Sequence, residues 1–292
     1  MTARSPHPPA RTRRTSPGAA GPSAPHRGAS AGAAAPAVLD LYDDPGWYDA
    51  TYRRRRADVR YYVERARQCG GPVLEYGVGS GRVALPTVRA GVSVAGVDAS
   101  APMLALLEDK RRRLPSKRAA LLRAVRGDMR AVRLRERFRL VTAPFNVVLH
   151  LDARRDMERW LARVREHLLP EGELVFDVSV PQPLDLAADP TIWEKARSFR
   201  HPESGRLTEL AERFEYDPIR QVLLVESELR TEGAPRPLRV PLIHRQWFPR
   251  ELEALLHYNG FVDIRFTADF TDLPPDDHVD SLVISCRVGP LR

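Results

Sequence analysis

Apolar positions recur along this chain in two rhythms. Short apolar runs stand at 72–76, 93–98, 121–125, 138–145 and 173–180, and again at 261–267 and 281–288. Between them, at about 80–90, 101–113, 154–168 and 249–258, apolar residues recur every three to four positions. The first rhythm predicts buried strands and the second amphipathic helices. The 249–258 segment has Pro249 in its first turn and stops before Gly260, as helices tend to. A further helix is predicted from Ala57, where Val59, Tyr62, Val63 and Ala66 share a face, until Gly70-Gly71-Pro72 ends it. Strands alternating with helices predict an α/β fold: a doubly wound, seven-stranded, mostly parallel sheet covered on both faces.

Two segments break the alternation. Residues 1–37 are almost all Ala, Pro, Ser, Gly, Thr and Arg, and without large apolar side chains they cannot offset the entropy of ordering. A disordered tail is expected there, with the folded domain spanning 38–292. Its "RTRR" at 11–14 lacks the apolar stretch that an export signal needs. The second break is 189–247. "ERFEYDPIRQVLLVESELR" predicts two strands about an Asp217-Pro218 turn, and "LRVPLIHRQWF" a third, making an antiparallel insertion after the fifth core strand.

Composition changes this picture little. The net charge is +8, and 43 of the 46 basic residues are Arg. Five of those arginines, against one aspartate, lie in residues 1–40. This looks like coding bias more than a phosphate-binding face, so no nucleic-acid partner is expected. Cys69 and Cys286 are too few for a thiolate metal cluster and are expected as free thiols in a reducing cytoplasm. No apolar run approaches the length of a membrane span. No metal site is expected, and the assembly expected is a monomer or homodimer.

The chemistry concentrates in "GGPVLEYGVGSGRVALP", residues 70–86. Glycines after a buried strand let the backbone turn sharply and approach a ligand, and the following helix offers unpaired N–H groups. Gly77, Gly79 and Gly81 are therefore expected to form a nucleotide-type cofactor loop. Asp98 ends the next strand, 21 residues past Gly77, where an acid accepts hydrogen bonds from a ribose diol. A dinucleotide fingerprint would need a third glycine at position 82, which is Arg. Glu75, two residues before the loop, would repel a pyrophosphate and suits a cationic ligand. S-adenosylmethionine carries an ammonium and a sulfonium and no phosphate, and is the cofactor expected.

"VLEYGVGSGR", "VAGVDASAPML", "RGDMR", "FRLVTAPFNVVLHL" and "LLPEGELVFDV" resemble, in order and spacing, the successive motifs of class I S-adenosylmethionine-dependent methyltransferases of the small-molecule type. The resemblance covers about residues 40–292. It implies that Glu75 and the Gly77–Gly81 backbone serve the methionine end, that Asp98 holds the ribose hydroxyls and that Met103 packs on the adenine. It also implies Asp128 at the adenine amino group with Met129 beside it, and Phe145 and Asn146 at the methionine end and substrate mouth. Tyr76 and Val78 depart from the commoner loop residues without touching the charge or backbone argument.

Other candidates lie around this core. His150 follows the fourth strand and is either a general base or a residue that packs against the loop. His244 in the insertion is either a base or a packed strand residue. Asp177 either lines the substrate site or caps a loop. Trp47, Tyr48 and Tyr52 form an aromatic segment within 38–70 that either closes over the cofactor, where rings attract a sulfonium, or docks the N-terminus onto the sheet. "RRRR" at 53–56 is expected as a solvated face. The function expected is methyl transfer to a small molecule by in-line displacement. A non-catalytic binding protein and an RNA methyltransferase are the alternatives, and the acceptor atom is open.

Overall fold

The computed structural model describes residues 37–38, 42–52, 54–196, 198–200 and 204–290. Apart from Ala37, the tail expected over 1–37 lies outside the described residues. In chain order the elements are β1 (Ala37–Val38), α1 (Pro45–Tyr52), α2 (Ala57–Cys69), β2 (Val73–Tyr76), α3 (Ala84–Arg89), β3 (Val94–Asp98), α4 (Ala101–Arg112), α5 (Ser116–Ala119), β4 (Leu122–Arg126) and β5 (Phe138–Ala143). A 3-10 turn (Val147–His150) follows, then α6 (Arg154–His167), β6 (Leu168–Ser179), α7 (Pro183–Leu186), β7 (Glu194–Lys195), β8 (Phe199–Arg200), β9 (Leu207–Asp217), β10 (Val222–Thr231), β11 (Leu238–Arg245), α8 (Pro249–Tyr258), β12 (Phe261–Ala268) and β13 (Ser281–Val288).

Seven strands form the core sheet in the order β12-β13-β6-β5-β2-β3-β4. The five strands from β6 to β4 are parallel, and β13 runs antiparallel to both its neighbours. From β2 the chain steps outward through β3 to β4, then returns to β5 on the other side of β2. The switch point therefore lies between β2 and β5, where open α/β sheets leave a crevice at the strand ends.

The sheet is buried on both faces because successive side chains alternate between them. Leu74 and Tyr76 join Trp160, Phe176 and Trp247 in the cluster under α6 and α8. Val73 faces the other way, with Tyr62, Ala66, Leu85, Val88 and Leu107 of α2, α3 and α4. Each fully buried large side chain here stabilises the fold by about 1.5–3 kcal/mol.

Three core boundaries differ from the sequence reading by more than one residue. β5 stops at Ala143, not 145, because Phe145 and Asn146 both adopt left-handed backbone (φ 66° and 62°). α3 starts at Ala84, not 80, because Gly79 and Gly81 also have positive φ. β6 starts at Leu168, not 173, because Phe138 pairs with Leu168 before a register shift.

A second sheet has the order β1-β11-β10-β9-β7, with β8 also on β9. All its pairings are antiparallel except that of β1 with β11. The β9–β10 hairpin turns where Asp217 Oδ1 accepts the N–H groups of Ile219 (2.9 Å) and Arg220 (3.0 Å). α1 packs on this sheet through Trp47, which is buried with Leu229 and Val240. No helix among the described residues is long and apolar enough to cross a membrane.

Candidate active site

A cavity of about 650 Å³ opens at the switch point. Its floor is the loop after β2, its sides are the ends of β3, β4 and β5, and the N-terminal segment walls it through Tyr42, Asp43 and Tyr48. It gathers Glu75, Gly77, Gly79, Asp98, Met103, Asp128, Met129, Phe145, Tyr48 and His150, ten of the residues singled out in the sequence.

The three loop glycines do different work. At Gly79 (φ +52°) a Cβ would meet nothing nearer than the Gly77 carbonyl at 3.9 Å, so the backbone there faces open space. At Gly77 a Cβ would lie 2.3 Å from Val147. At Gly81 it would lie 2.4 Å from Leu107 and 2.9 Å from Leu85. Gly81 does not line the cavity; its missing side chain lets α3 and α4 pack against the loop.

Asp98 ties this loop to its own strand. Its Oδ2 accepts the Gly79 N–H at 2.7 Å and its Oδ1 the Ser100 N–H at 2.8 Å. Burial raises its pKa, and the N–H groups of Ser100, Gly79 and Ala99 oppose that rise. Each oxygen keeps acceptor capacity on the cavity side, as a ribose diol requires.

Glu75 departs from the expectation of a standing negative charge. It lies in a strand buried throughout and is 3% exposed. Burial pushes its pKa up to about 8, against the lowering influence of Arg82 and the Ala84 N–H. With no ligand bound, burial outweighs these two influences and favours the neutral carboxyl, and a cation brought against it would favour the ionised form. Asp128 also differs from a bare acceptor. Arg130 grips it, Nε at 3.0 Å from both oxygens and Nη2 at 2.7 Å from Oδ2, which lowers its pKa. Met103 is buried and Met129 half-buried, and both line the cavity.

Besides Gly81, four expected site residues do not line the cavity. Asp177 is buried and acts as a strut, its Oδ1 accepting the Tyr62 hydroxyl (2.6 Å) and the Phe145 N–H (2.7 Å). Asn146 clamps β6: its Nδ2 donates to Ser179 Oγ at 2.8 Å and its Oδ1 accepts the Ser179 N–H at 2.7 Å. Both hold the left-handed Phe145–Asn146 turn and thereby aim the Phe145 ring. Tyr52 packs edge-on against that ring at 4.8 Å. His244 lies behind His150, ring centroids 5.1 Å apart, and burial pushes its pKa down to about 3, with His150 adding to the fall. Of the two expected bases, His150 lines the cavity and His244 does not.

Several functional residues escaped the sequence reading. Tyr42 lines the cavity, and its hydroxyl is hydrogen-bonded to His150 Nε2 at 2.7 Å. Arg82 stands over the Phe145 ring at 4.7 Å, with its Nη2 2.7 Å from Asp58 Oδ2. Arg55 caps the same ring at 4.9 Å and lies 3.6 Å from Asp58. The 53–56 run is thus not wholly a solvated face. Asp58, the acid in the first turn of α2, is fully buried. Asp49 accepts from Ser80 of the glycine loop and from Lys110 of α4. Apart from Arg55–Asp58, an i,i+3 pair, no local motif marks these contacts, because they join residues 24 or more positions apart.

Comparison with known proteins places this geometry. Residues 73–172 match the methyltransferase domain family. The dTDP-3-amino-3,6-dideoxy-alpha-D-glucopyranose N,N-dimethyltransferase of Streptomyces fradiae is 32% identical over 126 residues, 43% of this chain and 46% of that protein. The match thus spans about half the relative's length. The structure of the CcbJ methyltransferase from Streptomyces caelestis superposes with a TM-score of 0.69 at 27% identity, over 80% of this chain and 96% of that one. S-adenosylmethionine-bound CalS10, an amino pentose methyltransferase from Micromonospora echinaspora, shares the fold: TM-score 0.63, 23% identity, 82% and 96% coverage.

Proposed function

Because residues 73–172 belong to the methyltransferase domain family, with the class I S-adenosylmethionine-dependent fold around them, we propose that this chain transfers a methyl group from S-adenosylmethionine to an amine of a small, sugar-like acceptor. The observation that carries the reading is the gathering of these site residues around one cavity. At one end are a loop of open backbone and a buried acid, suited to a cationic methionine head. At the other are two methionines beside a clamped aspartate, suited to an adenine. The nitrogen acceptor is supported by the relative that is by name an N,N-dimethyltransferase, and the sugar-like acceptor by that relative and by the amino pentose methyltransferase.

When bound, the cofactor supplies an electrophilic methyl on a sulfonium with a good, neutral leaving group. The protein then has three tasks. Asp98, the Gly79 backbone and Glu75 fix the cofactor, so that the in-line geometry is set before the acceptor arrives. Phe145, between two guanidiniums and two tyrosines, walls the methionine end and excludes water. The Tyr42–His150 pair at the mouth takes up the proton that an ammonium acceptor must lose before its lone pair can attack.

The test is incubation with methyl-labelled S-adenosylmethionine and a panel of amino sugars and matching hydroxyl sugars. Label should appear on the amines, and His150→Ala should lower turnover by about 10²–10⁴ while leaving cofactor affinity intact. Label on the hydroxyl compounds alone would overturn the nitrogen assignment.

A further inference from the structure

The N-terminal segment walls one side of the cavity through Tyr42, Asp43 and Tyr48. The contacts of that segment are of two kinds. Toward the second sheet they are apolar: Trp47 is buried with Leu229 and Val240, and Leu210, Leu238 and Leu242 pack around them. Toward the core they are mostly polar. Asp49 accepts from Ser80 Oγ and from Lys110 Nζ, the Tyr42 carbonyl accepts from Ser100 Oγ at 3.3 Å, and the Tyr42 hydroxyl meets His150. The edge contacts of Tyr48 and Tyr52 with Phe145 are the apolar part of that boundary.

Parting the apolar boundary would expose the Trp47 cluster to water, whereas polar contacts are largely exchanged for contacts with water. We propose that α1 and the second sheet lift together as one roof, and that Asp49 is the latch holding this roof onto the cofactor loop. The latch touches that loop directly, since Ser80 lies among its glycines, is 1% exposed and lines the cavity. Lys110 holds both partners at once: its ammonium pairs with Asp49 and donates to the Ser80 carbonyl at 3.1 Å. Position 110 is one of three lysines in a chain that otherwise uses 43 arginines. A compact ammonium with three rotatable donors fits a three-way junction that a planar guanidinium does not.

The inference rests on the cavity being the cofactor site, and two measurements separate the two ideas. Stopped-flow release of S-adenosylhomocysteine should be at least tenfold faster in Asp49→Asn and in Lys110→Met, with little further gain in the double variant. Lys110→Arg should restore only part of the slow release. Equilibrium affinity should change less than the release rate, because an unlatched roof speeds entry as well. Release within twofold of wild type in both single variants would overturn the latch. The second measurement needs no ligand. Spin labels at Ile243→Cys on the second sheet and Lys117→Cys on the core, in a Cys69→Ser background, should give a broader distance distribution in Asp49→Asn than in the parent. If wild type binds no cofactor, the proposed function fails and this distribution still decides: an unchanged one overturns the roof.

Discussion

Asp98 reaches back to the loop that precedes its own strand, its Oδ2 accepting the Gly79 N–H at 2.7 Å. One carboxylate therefore shapes the loop and faces the cavity that the loop borders. Asp98→Ala should weaken S-adenosylmethionine binding by about 1.5–3 kcal/mol, the range for a hydrogen bond to a charged group. The core should remain folded, because Asp98 lies at the pocket edge. Calorimetry on a folded variant with unchanged affinity would show that Asp98 does not hold the cofactor.

Glu75 gives binding a pH dependence. Burial holds its pKa near 8 in the empty protein, and a cation beside it favours the ionised form, so below that pH binding has to expel a proton. Wild-type affinity relative to Glu75→Gln should climb as pH rises toward 8 and then level off. Calorimetry in buffers of different ionisation enthalpy should detect the released proton below pH 8 in wild type and a smaller release in Glu75→Gln. Equal proton release in the two proteins would contradict the linkage.

Gly79 and Gly81 should separate binding from stability. Gly81→Ala puts a Cβ 2.4 Å from Leu107, and overpacking of this kind costs about 1–3 kcal/mol of stability. Gly79→Ala meets no packing atom but fills the space facing the cavity. Thermal melts should therefore show the larger fall in Tm for Gly81→Ala, and calorimetry the larger loss of cofactor affinity for Gly79→Ala. The reverse order would refute the division.

His167 is a buried neutral histidine that fastens the sheet to the loop before β5. Its Nδ1 is hydrogen-bonded to the Tyr76 hydroxyl at 2.8 Å, and its Nε2 accepts the Leu134 N–H at 2.9 Å. Burial, chiefly, lowers its folded pKa below the unfolded value. The stability it contributes is therefore full above about pH 6.5 and is lost as the pH falls through that value toward the folded pKa. His167→Phe should cost about 1–3 kcal/mol at pH 7.5 by stranding the Leu134 N–H, and less at pH 5. A difference that grows on acidification would contradict the assignment.

The strand and helix pattern of the core was legible because each element carries its own periodicity, from the buried β2 to the Pro249-led α8. So was the gathering of Gly77, Gly79, Asp98 and Met103 at one cavity, because they fall at spacings imposed by two successive strand–loop–helix units. The acceptor side was not. Asp177 and Asn146 carry the right chemistry at the right strand ends, yet both turn to Tyr62, Phe145 and Ser179, and sequence does not say which way a side chain at a turn points. Tyr42, Asp49, Asp58 and Lys110 gain their roles only when α1 and α2 fold over the sheet. At Glu75 the sequence shows an acid but not its burial, which is what raises its pKa.

The most direct test of the cavity's assignment is a calorimetric titration of the intact chain at pH 8, near the pKa of Glu75, with S-adenosylmethionine and, separately, NAD. One molecule of S-adenosylmethionine should bind per chain, its demethylated product should compete for the same site, and NAD should give no measurable heat of binding. NAD binding more tightly than S-adenosylmethionine would contradict the account.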